Sequence, residues 1–311
     1  MNTQVTGLHH ITAIASDPRQ NLDFYTQVLG LRFVKKSVNQ DDPGTYHLYY
    51  GDYQASPGTI LTFFPWAGLR RGRPGTGQAY ATAFSVPTGS LPFWQQRFQK
   101  LGVKHEAVEK RFNDDVLPFA DPDGLRLELV ATAEADPRTP APATDVPAEF
   151  AIRGFHSSTL AVTETTATAQ VLTRSMGYQL AAQSGHRTRF RTGAGGPGTY
   201  VDLLADPALP RGLNGAGTIH HVAFRVPDDA TEVAARTVLL NDGLQVSPVI
   251  DRAYFKSIYY REPAGVLFEI ATDGPGFAID EPLDQLGTKL GLPPHLEVHR
   301  AEIEAALPRL E

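Results

Sequence analysis

Two histidine pairs, His9-His10 in LHHITAIA and His220-His221 in IHHVAF, stand in stretches that otherwise read as buried strands. A carboxylate, Glu269, stands in a third apolar run, GVLFEIA. Two neutral imidazoles and one carboxylate on a common face form the 2-His-1-carboxylate set that suits non-haem Fe(II), with Mn(II) a close rival. Such a set leaves coordination positions open for a substrate and dioxygen. Successive strand side chains point to opposite faces, so only one member of each pair can serve the site directly. His10 and His221 are assigned that place. His9 and His220 are expected as their neighbours, with strand twist or a strand end able to turn His220 toward a substrate. A lone histidine pair is ordinary in a partly buried strand, so the weight falls on the elements that hold the three residues.

Those elements repeat. Four segments share one pattern: a short strand, an amphipathic helix, then several strands. The openings are LHHITAIA, ATAFSVP, GFHSSTLAV and IHHVAFRVP. The following helices include Asn21 to Leu29, the Phe93, Trp94, Phe98 segment, TETTATAQVLTRSMGY and TEVAARTVLLNDG, all with apolar spacing suited to a sheet. Each unit closes on a glycine leading into an alternating strand: GTILTFF, GLRLELV, GTYVDLL and GVLFEIA. Thr62, Glu128, Asp202 and Glu269 occupy equivalent places after those glycines, and His10, Ala81, His156 and His221 the matching places in the opening strands. The separations within units are 52, 47, 46 and 48 residues. This regularity predicts an α+β fold of four βαβββ modules, forming two barrel-like sheets of paired modules around concave cavities. Spacing alone does not fix which module pairs with which.

The expected boundaries follow from composition. Residues 1–134 hold two modules (about 7–66 and 79–134), 135–150 a Pro/Ala-rich linker, 151–280 two more (about 151–210 and 217–275), and 281–311 a tail. The Gly/Arg/Pro-rich stretches 67–79 and 211–217 read as connectors between modules. Glu269 and His221 belong to the fourth module and His10 to the first. Thr62, the first module's counterpart of Glu269, is a poor ligand, which leaves three donors and room for two small molecules. Glu128 and His156 suggest a second site, but Ala81 and Asp202 complete it poorly, so one metal centre is expected.

The chain of 311 residues carries 41% hydrophobic and 20% charged residues, as an ordinary globular protein does. A formal charge of −6 argues against nucleic acid as a partner. No apolar run is long enough to span a bilayer, and the first thirty residues lack a secretory pattern, so no membrane partner and a cytoplasmic location are expected. The absence of cysteine excludes disulfides and thiolate chemistry. RRGRPGTGQ at 70–78 and GAGGPG at 193–198 lack the context of phosphate loops, and HLEVH at 295–299 departs from the zinc motif HExxH.

Through LHHIT, GFHS, GTIHHVAFRVP, DRAYFKSIYYREPAG and GVLFEIATDGPGF, the chain resembles the vicinal oxygen chelate superfamily. Within it, the chain is similar to ring-cleaving dioxygenases of hydroquinones, over nearly its whole length. The resemblance implies pairing of the first and fourth modules around Fe(II), or Mn(II), held by His10, His221 and Glu269. It also implies substrate-facing or supporting roles for Thr12, His220, Arg252 and Tyr259. Arg252 could stabilise negative charge developing on oxygen, Tyr259 could donate a hydrogen bond, and His220 could exchange a proton. The implied partners are a small aromatic diphenol and dioxygen, with a homo-oligomer left open. Competing readings are a catechol extradiol dioxygenase, a glyoxalase-like isomerase and a non-enzymatic drug-binding protein.

Overall fold

Among the described residues, sixteen strands and four helices follow one another in four similar passes. In the computed structural model, which describes residues 5–141 and 145–310, the first unit comprises β1 (Gly7–Ala15), α1 (Pro18–Asp23), β2 (Arg32–Asn39), β3 (Asp42–Gly51) and β4 (Ile60–Pro65). The second comprises β5 (Gln78–Pro87), α2 (Leu91–Leu101), β6 (Glu109–Arg111), β7 (Asp114–Ala120) and β8 (Arg126–Thr132). The third runs through β9 (Gly154–Ala161), α3 (Thr166–Gln170), β10 (Gln179–Ser184), β11 (Arg187–Arg191) and β12 (Tyr200–Leu204). The fourth runs through β13 (Thr218–Val226), α4 (Asp229–Asn241), β14 (Ile250–Asp251), β15 (Phe255–Arg261) and β16 (Leu267–Pro275). Beyond residue 276 the described tail forms short turns of helix and α5 (Arg300–Ala306).

Two eight-stranded sheets result, in the orders β14-β15-β16-β13-β1-β4-β3-β2 and β10-β11-β12-β9-β5-β8-β7-β6. The first and fourth units therefore share one sheet, the second and third the other. The central joint of the first sheet is the antiparallel pair β1 and β13. Every residue of β1 is buried, because one face packs on the core and the other meets the cavity, so its sequence shows no polar alternation. Both Gly/Arg/Pro-rich connectors brace each other through bridges joining Arg71 to Ala216, Arg73 to Leu213 and Thr76 to Arg211. The two sheets also meet where the Leu8 amide donates to the Gly198 carbonyl at 2.8 Å. A Cβ on Gly7 would lie 2.7 Å from that same oxygen, so glycine alone fits the crossing.

The helix expected over Asn21 to Leu29 is divided. Asp17 caps α1 by accepting from the Gln20 amide, and the chain then widens so that the Leu29 amide donates to the Phe24 carbonyl, five residues back. Tyr25, fully buried, packs from this turn on Tyr50 and Phe63 of the sheet. The linker is ordered where it is described, and residues 142–144 lie outside the described residues. Its Arg138 donates to the carbonyls of Gly58, in the turn before β4, and Phe155, in β9, while Phe150 accepts from the indole of the buried Trp94.

Candidate metal centre and active-site cavity

Strand register brings the three residues together. His10 pairs with Ala223 across β1 and β13, Ala223 with Glu269 across β13 and β16, and Glu269 with Tyr259 across β16 and β15. A second row repeats this about a local two-fold: His221 pairs with Thr12, Thr12 with Thr62, and Thr62 with Tyr49. Glu269 and Thr62 are thus true counterparts, as are Tyr259 and Tyr49. Both histidine pairs sit at register shifts, between Leu8 and His10 and beside Thr12 opposite His220. A β-bulge leaves one residue unpaired and re-aims its side chain, which is how two consecutive imidazoles come within bonding distance of each other.

His10 Nε2 and His221 Nε2 lie 3.3 and 3.0 Å from Glu269 Oε2, and 3.3 Å from each other. All three residues are buried. Neighbouring ligands of an octahedral ion with bonds of roughly 2.1–2.3 Å stand at just such separations. Neither carboxylate oxygen of Glu269 has a partner in hydrogen-bond geometry among the described residues.

The hydrogen bonds around His9 fix the tautomer of His10. His9 Nε2 faces the Thr272 carbonyl oxygen at 3.1 Å, so it must donate, which leaves His9 Nδ1 a lone pair. That lone pair accepts from His10 Nδ1 at 2.8 Å, and His10 Nε2 is left unprotonated toward Glu269. His220 Nδ1 and His221 Nδ1 make the matching 2.8 Å bond. Burial holds His9 well below its ordinary pKa and lowers His220 to about 3, so both are neutral. His10 Nε2 and the Glu269 carboxylate thus turn electron pairs toward one point, and His221 Nε2 adds a third when His221 donates from Nδ1, an arrangement that a cation satisfies.

Above these atoms lies a cavity of about 450 Å³ lined by His10, His221, His220, Arg252 and Tyr259 among others, with Phe64, Trp66 and Phe255 supplying apolar wall. Tyr259 Oη accepts from Arg252 Nε and from Ser257 Oγ, both at 3.1 Å, so its own proton is free for a ligand. Burial raises the Tyr259 pKa, which keeps the hydroxyl protonated. Arg252 also donates to Gln40, and no described ion pair includes it; its neighbour Asp251 accepts from the Ala253 amide. Thr12 is fully buried and bonds Thr62 Oγ1 at 2.7 Å; it lies beneath the cavity wall. His47 and Tyr49, which sequence reasoning missed, line the cavity from β3. The signal lay in YHLYYG, where His47 and Tyr49 alternate with buried leucine and tyrosine. The tail supplies Ile279, Leu292 and Pro293 to the wall. It is held by Lys35, fully buried, whose ammonium bonds Asp280 at 2.6 Å and also Glu281. HLEVH leads into α5, where the exposed His299 pairs with Glu302.

The glyoxalase/bleomycin resistance protein/dioxygenase superfamily matches residues 7–129 and 154–270. The chain belongs to that superfamily. MhqO of Bacillus subtilis, provisionally named a ring-cleaving dioxygenase, is 45% identical over 99% of this chain and 97% of its own. The chlorohydroquinone/hydroquinone 1,2-dioxygenase of Sphingobium indicum is 34% identical over 96% of this chain and 95% of its own. A crystal structure of a provisionally named dioxygenase from Bacillus subtilis superposes with a TM-score of 0.94 at 44% identity, covering 99% and 98% of the two chains. Glyoxalase I from Zea mays shares the fold alone, with a TM-score of 0.64 at 14% identity over 86% and 92% of the chains.

Within this superfamily architecture, the second sheet keeps the shape of the site but not its donors. Ala83 pairs with both Glu128 and Ser157, as Ala223 pairs with both Glu269 and His10. Ser157 is therefore the counterpart of His10, and His156 sits at the bulge, the place of His9. The near-equal spacing that aligned His156 with His10 was off by one residue: His156, like His9, is the bulged residue, and the ladder resumes at Ser157 as it does at His10. Arginines fill the rest: Arg111 Nη1 pairs with Glu128 at 2.6 Å, and Arg189 clasps Asp202 at 2.8 and 3.0 Å. His10, His221 and Glu269 form the one such cluster among the described residues.

Proposed function

We propose that the protein is a non-haem Fe(II) enzyme that opens the ring of hydroquinone-type aromatics with dioxygen, and that His10, His221 and Glu269 hold the ion. The observation that carries this reading is the convergence of three buried donors, His10 Nε2, His221 Nε2 and Glu269 Oε2, which lie 3.0–3.3 Å from one another. The superfamily membership and the likeness to a hydroquinone dioxygenase over nearly the full length support the substrate class. Mn(II) could occupy the same donors. Location in the cytoplasm is part of the proposal, and no described helix is long and apolar enough to cross a membrane.

Bound there, the divalent ion supplies the redox contact between an electron-rich ring and dioxygen, and with one anionic protein ligand it keeps a positive charge for a phenolate. The chain's own residues do the rest. Phe64, Trp66 and Phe255 keep water from the ring. With His221 holding the ion through Nε2, its Nδ1 proton would go to His220 Nδ1, and His220 would present an Nε2 donor to the substrate. Tyr259 donates its free proton to an oxygen on the Glu269 side. Arg252, placed against the Tyr259 oxygen, holds a full positive charge beside negative charge as it develops. Thr62 is occupied by Thr12 and His47 and adds no fourth donor, which disfavours the glyoxalase-like reading.

Anaerobic reconstitution with Fe(II) followed by metal analysis tests the proposal. Wild type should retain one ion per chain, and His221→Ala and Glu269→Ala should lose it. Retention of tightly bound iron by both variants would move the ion elsewhere and end the assignment.

A further inference from the structure

Tyr49, on β3, has one hydrogen-bond partner among the described residues, His47 Nδ1 at 2.7 Å. His47 Nε2 stands 2.8 Å from Thr62 Oγ1, and Thr62 Oγ1 stands 2.7 Å from Thr12 Oγ1, where the chain of contacts ends. Its direction can be worked out. Thr12 is fully buried and Thr62 Oγ1 is its one described partner, so leaving the Thr12 proton unused would strand a buried donor. Thr12 must donate to Thr62, Thr62 to His47 Nε2, and His47, protonated on Nδ1, to the Tyr49 oxygen. The Tyr49 proton is then left over, at the wall of the cavity. Tyr259, its counterpart about the local two-fold, also receives donors and keeps a free proton. The same outcome arises from different residues on the two wings of the sheet: arginine and serine on one, a histidine and two threonines on the other.

We infer that Tyr49 is a substrate-binding donor, which takes the hydroquinone oxygen opposite the one met by Tyr259 and Arg252, and that His47, Thr62 and Thr12 are positioning residues that aim its proton. Two hydroxyl donors approaching from opposite wings match a diphenol whose oxygens lie at opposite ends of the ring. Adjacent oxygens, as in catechol, would both fall on one side. The inference rests on the hydroquinone reading and sharpens it, by naming what recognises the second hydroxyl.

The test is anaerobic calorimetric titration of the Fe(II)-loaded protein with hydroquinone and with phenol, which lacks the second hydroxyl. Tyr49→Phe, which keeps the ring, should bind hydroquinone about tenfold more weakly and phenol within about twofold of wild type. His47→Leu should show the same selective loss, and the double variant no further loss. Equal weakening toward both ligands, or none, overturns the role of Tyr49 while leaving the hydroquinone reading intact. Failure of wild type to bind hydroquinone overturns both. Nitrogen NMR of the zinc-loaded protein reads the chain directly: the His47 ring should be protonated on Nδ1, and a proton on Nε2 reverses the chain and removes the Tyr49 donor.

Discussion

Replacing His9 with phenylalanine should weaken metal binding although His9 is not itself one of the converging donors. The substitution removes the 2.8 Å bond that places the His10 proton on Nδ1, and with it the bond that ties the relay to the Thr272 carbonyl. It keeps an aromatic ring against Phe255, whose centroid lies 5.0 Å from that of His9, so packing changes little. With an ion on His10 the lost bond is charge-assisted, worth about 1.5–3 kcal/mol, which corresponds to roughly 10- to 100-fold in affinity. Anaerobic competition for Fe(II) against a chelator of known affinity measures it, with melting of the metal-free protein as the control for folding. Affinity within about twofold of wild type, in a variant that melts normally, would refute the claim that the bulged histidine sets the donor geometry.

Arg252→Met should lower kcat about 100-fold with the bound metal unchanged, as expected for removal of a charge that acts during the reaction; steady-state rates and metal content together check it. Lys35→Met should release the tail, because it leaves Asp280 and Glu281 without their buried cation, at a cost of about 3–5 kcal/mol. Limited proteolysis should then cut between residues 277 and 299, where wild type resists. Stability should fall with acid through His156. Burial, then Arg189, lowers its pKa to about 3, against about 6.5 unfolded. Between those values the unfolded chain binds a proton that the folded chain does not, so stability is full above about pH 6.5 and declines as pH drops toward 3. His156→Gln should flatten the change in melting temperature between pH 7 and 5; an unaltered slope assigns the effect to other groups.

The repeat was legible because each unit writes the same grammar: an opening strand, a helix, and a glycine before a closing strand whose fourth residue faces inward. That grammar placed Glu269 and Thr62 as counterparts, and the register agrees. It could not show which units share a sheet, since spacing carries no information on strand neighbours; that expectation came from resemblance. Bulges were invisible for the same reason. They put His9 and His220 beside the donors they support, where alternation had sent them to the opposite face, and they displaced His156 by one place. His47 and Tyr49 were hidden in a run of aromatic residues whose types suit a packed core equally well. Their function lies in hydrogen bonds to Thr62 and Thr12, residues 50 positions apart, which no local pattern records.

If one ion on His10, His221 and Glu269 joins an aromatic ring to dioxygen, mass analysis of the product formed from hydroquinone under ¹⁸O₂ by the Fe(II)-loaded protein reads it most directly. Ring-opened product carrying both labelled atoms is the predicted result. Turnover without label, or full iron occupancy with no oxygen-dependent product from any hydroquinone supplied, would contradict it.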